Sequence, residues 1–213
     1  MLLCSVESGA GVQIAAVAAP VALYFLVLGL LNTRRHPQLV RGRVDFILLM
    51  AALAPLAICP LAAWVGSSPV AMAAAGAAAL AAAWLLSPPR ESWVIYNIAP
   101  AAAASVVERA LRRAGLDFAH EPGEQTFRLG DGQVRLSSFP LLRNVSIRAV
   151  GCDGRACDLF ERALAEHVVR LDARTTPAAM AMLLVATVML VAPLAMVAPK
   201  AVELVRILTG LLY

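Results

Sequence analysis

The chain has 213 residues, is 61% apolar and only 15% charged, and has a mean hydropathy of +0.76. An ordinary soluble domain is about half apolar and about a quarter charged, so this composition predicts an integral membrane protein. Basic residues exceed acidic ones by 18 to 14, but the excess sits at Arg34, Arg35, Arg41 and Arg43, which argues against a nucleic-acid-binding face.

Residues 12–31, 46–65, 69–87 and 178–198 contain no Asp, Glu, Lys or Arg. Each is near the length of about 20 helical residues that crosses a hydrocarbon layer of about 30 Å. The first predicted span, about 12–31, follows Glu7 with no basic residue before it, which favours a retained span over a cleaved leader. The cluster Arg34, Arg35, Arg41 and Arg43 comes next. By the positive-inside rule it sets orientation at the membrane surface, with the N-terminus outside and loop 32–43 in the cytoplasm. The second span, about 44–65, contains Pro55 and Pro60, where kinks are expected.

The third span, 69–87, is rich in alanine. Ala71, Ala75 and Ala79, with Gly76 on the neighbouring row, form a predicted helix-packing face, because small residues let backbones approach. This run resembles the Ala/Gly-rich third span of small mechanosensitive channels, which implies a pore lined by this helix in a homo-oligomer. The return span at 178–198 departs from that pattern.

Segment 88–175 has globular composition, with twelve arginines against eleven acids. Residues 93–98 read as a buried strand, and Pro100 opens a helix that runs to Ala114, with Gly115 beyond its end. Asp117–Glu121, Gln125–Leu129 and Gln133–Ser138 alternate as strands, the last two joined by the turn Gly130-Asp131-Gly132. Asn144–Val150 is a further strand, with Val145, Ile147 and Ala149 alternating with Ser146 and Arg148. Cys157–Leu171 reads as an amphipathic helix, and Thr176 before Pro177 caps the fourth span, 176–198. The order β-α-β-β-β-α resembles a variant ferredoxin-like sandwich in layout, a fold that assigns no function by itself. Residues 199–213 place Lys200, Glu203 and Arg206 on one helical side, as in an interfacial amphipathic helix.

The predicted fold class is therefore a membrane all-α bundle of four transmembrane helices with an inserted small α+β domain. Its 88–175 segment would be cytoplasmic, in a bacterial or archaeal plasma membrane. No span carries an ionisable residue near its centre, which argues against a pump or coupled transporter acting alone. Neither a phosphate-loop spacing nor a nucleophile elbow occurs, so no enzyme is predicted. Cys152 and Cys157 lack a second ligand pair, with His120 and His167 the only candidates, so two reduced thiols are expected rather than a metal site. The functional expectation is a non-enzymatic accessory, scaffold or assembly subunit of a membrane complex. The alternatives are the channel and a membrane-anchored ligand or metal sensor. The expected partners are the lipid bilayer and other membrane subunits or further copies of the chain, with no nucleic acid and no cofactor.

Overall fold

The computed structural model describes the backbone of residues 10–65, 69–120, 125–139, 143–173 and 175–212. It describes their side chains except those of 10–14, 16, 59–65, 69, 72, 193 and 196–212. Six helices and five strands occur among them: α1 (Ala10–Thr33), β1 (Gln38–Arg41), α2 (Gly42–Val65), α3 (Pro69–Leu86), β2 (Ser92–Tyr96), α4 (Pro100–Arg113), β3 (Thr126–Leu129), β4 (Gly132–Phe139), β5 (Asn144–Val150), α5 (Gly154–Val169) and α6 (Pro177–Leu212). The chain divides into two units, one of residues 1–27, 48–86 and 182–213, the other of residues 28–47 and 87–181.

In the helical unit the buried side chains are small: Ala22, Ala52 and Ala186. Large apolar side chains such as Val70, Leu80, Trp84 and Leu184 are exposed. Among the described residues, however, no helix is long and apolar enough to cross a membrane. The described side chains of α2, for example, run from Gly42 to Ile58 and open with Arg43 and Asp45. The predicted four-span bundle is corrected accordingly, to an α+β fold with six helices and a five-stranded antiparallel sheet among the described residues. The readings that rested on the spans fall with it: the membrane-complex accessory or scaffold subunit, the channel lined by the third span, the membrane-anchored sensor and the plasma-membrane location. The side chains of the amphipathic stretch 199–213 lie outside the described residues, and α6 continues through its backbone to Leu212.

The α+β unit is built on one sheet of order β1-β2-β5-β4-β3, with every pairing antiparallel. Strand alternation divides its side chains between two faces. Trp93, Ile95, Phe127, Val134, Val145 and Ile147 point to the face covered by α4 and α5, where they meet Val107, Leu111, Phe160 and Leu164. Trp93 and Phe160 pack edge to face with ring centroids 5.6 Å apart.

Local signals explain the helix limits. Pro100 occupies the first turn of α4, where its missing N–H costs nothing. The far end closes as a Schellman motif, with Gly115 at φ +70°. Gly115 N donates to Arg112 O and Leu116 N to Leu111 O, both at 3.1 Å. Thr176 Oγ1 accepts from Ala179 N at 3.2 Å and caps α6, as its sequence predicts.

The basic loop contains a strand that its charge conceals. Residues Gln38–Arg41 form β1 and pair with β2 from Gln38↔Tyr96 to Arg41↔Trp93. Of the predicted strand at 117–121, the described part forms only a bridge between Ala119 and Arg128.

Candidate functional site

The sheet face opposite α4 and α5 is divided into a covered half and an open half. On β2 its side chains are Ser92, Val94 and Tyr96, and all three are buried. A polar junction builds this covered half. Tyr96 Oη donates to Asp45 Oδ1, and Gly42 lies so close to Ser92 that a Cβ there would collide with its Oγ. Asn97, at φ +60°, donates from its backbone N to Asn32 Oδ1 (3.1 Å) and from Nδ2 to Arg34 O (3.0 Å). Asn32 Nδ2 in turn donates to Leu28 O at 2.9 Å. An Asn tolerates this left-handed backbone better than most residues, and here its backbone nitrogen and its amide nitrogen each donate once.

The other half, on β5, β4 and β3, is open. Register places its side chains in four rows. Val150, Gln133 and Arg128 form the first, and Arg148, Arg135 and Thr126 the second. Ser146 with Ser137 forms the third, and Asn144 with Phe139 the fourth. Arg128, Arg135, Arg148, Ser137, Ser146, Val150 and Phe139 are exposed.

Arg135 and Arg148 are direct cross-strand partners, which sets their Cβ atoms about 4.5–5.5 Å apart. Arg128 lies diagonally from Arg135, at about 7–8 Å. No residue of the four rows is acidic. Among the described residues none of the three guanidinium groups makes an ion pair or hydrogen bond. Like charges placed directly opposite destabilise a sheet. The three side chains together offer fifteen N–H donors, and no carboxylate among the described residues accepts from them.

Three acids of segment 88–175 pair with other arginines. Glu161 on α5 binds Arg41 Nη2 at 2.8 Å, on the helix-covered face. Glu108 binds Arg112 at 2.8 Å, and Asp172 lies 3.6 Å from Arg35. The near-zero net charge of segment 88–175 thus conceals a spatial separation.

The basic cluster singled out in the sequence does not converge on one point. Arg41 is committed to Glu161, Arg35 faces Asp172, Arg34 reaches Gln38 Oε1 at 3.4 Å, and Arg43 reaches Pro88 O at 3.4 Å. On α3, Ala79 and Gly76 are exposed, and a Cβ built on Gly76 would meet nothing within 4 Å. Ala71 and Ala75 are half-buried. The sequence reading missed Arg128, Arg135 and Arg148 because it summed charge along the chain. The signal was present in parity: each alternates with the core residues of its strand.

A second feature is a shallow cleft of about 760 Å³ at the end of α4, lined by Glu108, Arg112, Asp117, Phe118 and His120. His120 stacks on Phe127 with ring centroids 4.1 Å apart. Arg112 lies over the Phe118 ring at 5.7 Å and is neutralised by Glu108. The cleft therefore has aromatic surface but no unspent cation. Among the described residues no group of three or more His, Cys, Asp or Glu could hold a metal ion.

No family model, characterised protein or solved structure matches this chain.

Proposed function

We propose that the α+β unit is a non-catalytic binding module for phosphate-bearing anions, taken on the open face of its sheet. One observation carries the reading: Arg128, Arg135 and Arg148 share that face with no carboxylate partner among the described residues. Guanidinium groups offer paired donors that match phosphate oxygens, and charge-assisted hydrogen bonds of this kind are about twice as strong as neutral ones. A bound phosphate would also relieve the repulsion between Arg135 and Arg148. Ser137 and Ser146 lie one row away, about 6.6–6.8 Å along the strand, and can donate to a second anionic group.

A nucleic acid fits less well. Single strands bind through aromatic rings interleaved with basic residues, and the one aromatic ring of the four open rows, Phe139, lies two rows from the arginine pair. The serines of the face have no His or carboxylate beside them in its rows, which supports binding without chemistry.

Calorimetric titration of the full chain with inorganic phosphate tests the reading, with chloride at matched ionic strength as control. Vesicles carrying anionic phospholipid, against neutral vesicles, separate a lipid head group from free phosphate as the source. Phosphate should bind, and Arg135→Gln should weaken it about fivefold, the equivalent of about 1 kcal/mol for a solvent-exposed charged hydrogen bond. Equal affinity in Arg128→Gln, Arg135→Gln and Arg148→Gln variants would remove the proposal.

A further inference from the structure

Cys152 and Cys157 stand apart from the anion-binding face, on the helix-covered side of the unit. Cys152 follows the end of β5 and is half-buried, and Cys157 lies in the first turns of α5 and is buried. Both line one small apolar void with Leu111, Leu129, Val134 and Phe160. Cys152 Sγ fits there because position 132 has no side chain, since a Cβ on Gly132 would come within 3.2 Å of it.

A metal ion suits this pair poorly. Burial pushes the Cys157 thiol up to about 12, with Cys152, Glu91 and Asp158 adding to the effect. A cation would have to displace that proton at neutral pH, and no third ligand stands by among the described residues. Joining sulfur to sulfur needs neither a third ligand nor a lasting thiolate.

We propose that Cys152 and Cys157 form a reversible oxidation site, in which Cys152 takes up a small-molecule disulfide and Cys157 resolves it. The Cys152 thiolate attacks one sulfur of the disulfide R–S–S–R. The S–S bond breaks, a mixed disulfide Cys152–S–S–R forms, and one RS⁻ leaves. Cys157 then loses its proton to solvent and attacks Cys152 Sγ, and the second RS⁻ leaves. Two protein thiols are oxidised and one small disulfide is reduced to two thiols. The order follows from access, because Cys152 is the more open sulfur and Cys157 the hidden one.

The resolving step carries a signature. An ordinary cysteine thiol levels off above its usual value of about 8.5. Closure here should keep quickening beyond that value, because the burial that raises the Cys157 thiol persists when Cys152 carries the adduct.

The experiment uses the full chain with Cys4→Ser and Cys59→Ser, exposed to glutathione disulfide, acid-quenched and read by intact mass after denaturing alkylation. The expected product has lost two hydrogens, carries no adduct, and returns to two alkylatable thiols with reductant. Cys157→Ser should instead accumulate the glutathione adduct on Cys152, and Cys152→Ser should leave Cys157 unmodified. Recovery of two free thiols after prolonged exposure at pH 9 would overturn the proposal. So would a lasting adduct on the chain that retains both cysteines, or modification of Cys157 when Cys152 is absent.

Discussion

Replacing Arg148 by glutamine should make the α+β unit more stable while weakening its hold on phosphate. Arg148 faces Arg135 directly and makes no ion pair among the described residues. Two unit charges about 7 Å apart in water repel by about 0.6 kcal/mol. Screening reduces this to about 0.5 kcal/mol at 10 mM salt, about 0.2 at physiological salt and near zero at 1 M. The values at low and physiological salt fall inside the range of about 0.2–1 kcal/mol for cross-strand pairs. Glutamine keeps two of the three methylenes of this exposed side chain, so packing changes little. Urea unfolding, which adds no ions, can be followed through Trp93. That ring is 2% exposed and lies edge-on to Phe160, so its emission responds to loss of the core. Trp64→Phe and Trp84→Phe remove the other two tryptophans. Arg148→Gln should raise stability at 10 mM salt by about 0.5 kcal/mol, and the gain should vanish at 1 M. In the presence of phosphate the ordering should reverse, because ligand bound to the native state stabilises it in proportion to affinity. A variant less stable at low salt, a gain indifferent to salt, or equal stabilisation of both chains by phosphate would each refute the reasoning.

Three further outcomes follow from particular contacts. Gly132→Ala should cost about 1–3 kcal/mol in the same urea assay, since its Cβ would stand 2.9 Å from the backbone oxygen of Gly151 and crowd Cys152. Asn97→Ala should cost about 1–3 kcal/mol, through the lost bond to Arg34 O and a left-handed backbone at φ +60°; Asn97→Gly, which relieves the backbone, should cost less. Stability should fall as pH rises between about 9 and about 12, because Cys157 ionises near 9.0 when unfolded and only near 12 when folded. The unfolded chain releases its proton first and is favoured through that window. Below pH 9 this contribution is fully present, and Cys157→Ala should flatten the decline.

Within the α+β unit, local chemistry made most elements legible. Asn144–Val150 alternates strictly and is a strand of those limits. The turn Gly130-Asp131-Gly132 joins β3 to β4, and Pro100 and Gly115 bracket α4. Elements decided by distant partners were not legible. Gln38–Arg41 is a four-residue run among arginines, and only its pairing with Ser92–Tyr96 makes it a strand. The start of α5 at Gly154 precedes the first apolar residue of its periodic run, so the pattern placed it late. Charge-free stretches do not give the limits of a helix: α2 begins at Gly42 and carries Arg43 and Asp45 near its start, ahead of the uncharged run 46–65.

The candidate site was hidden for a related reason. Arg128, Arg135 and Arg148 are separated in sequence by turns and by core residues, and each alone is an ordinary solvent-facing strand residue. They become a site through register: Arg135↔Arg148 and Thr126↔Arg135 align the second row, and Arg128↔Gln133 sets the diagonal. A shift of one residue in the β4–β5 pairing would turn one of the two arginines into the core, which hydrophobic alternation forbids. A shift of two would keep both faces intact and carry Arg135 away from Arg148. Alternation alone therefore permits arrangements that separate the charges, and the close approach of Gly132 to Gly151 favours the β4–β5 register that brings them together, while the turn Gly130-Asp131-Gly132 sets β3 against β4. An energetic conflict held in place by a glycine contact is intelligible if an anion resolves it, and this is why the register, more than the number of arginines, carries the functional argument.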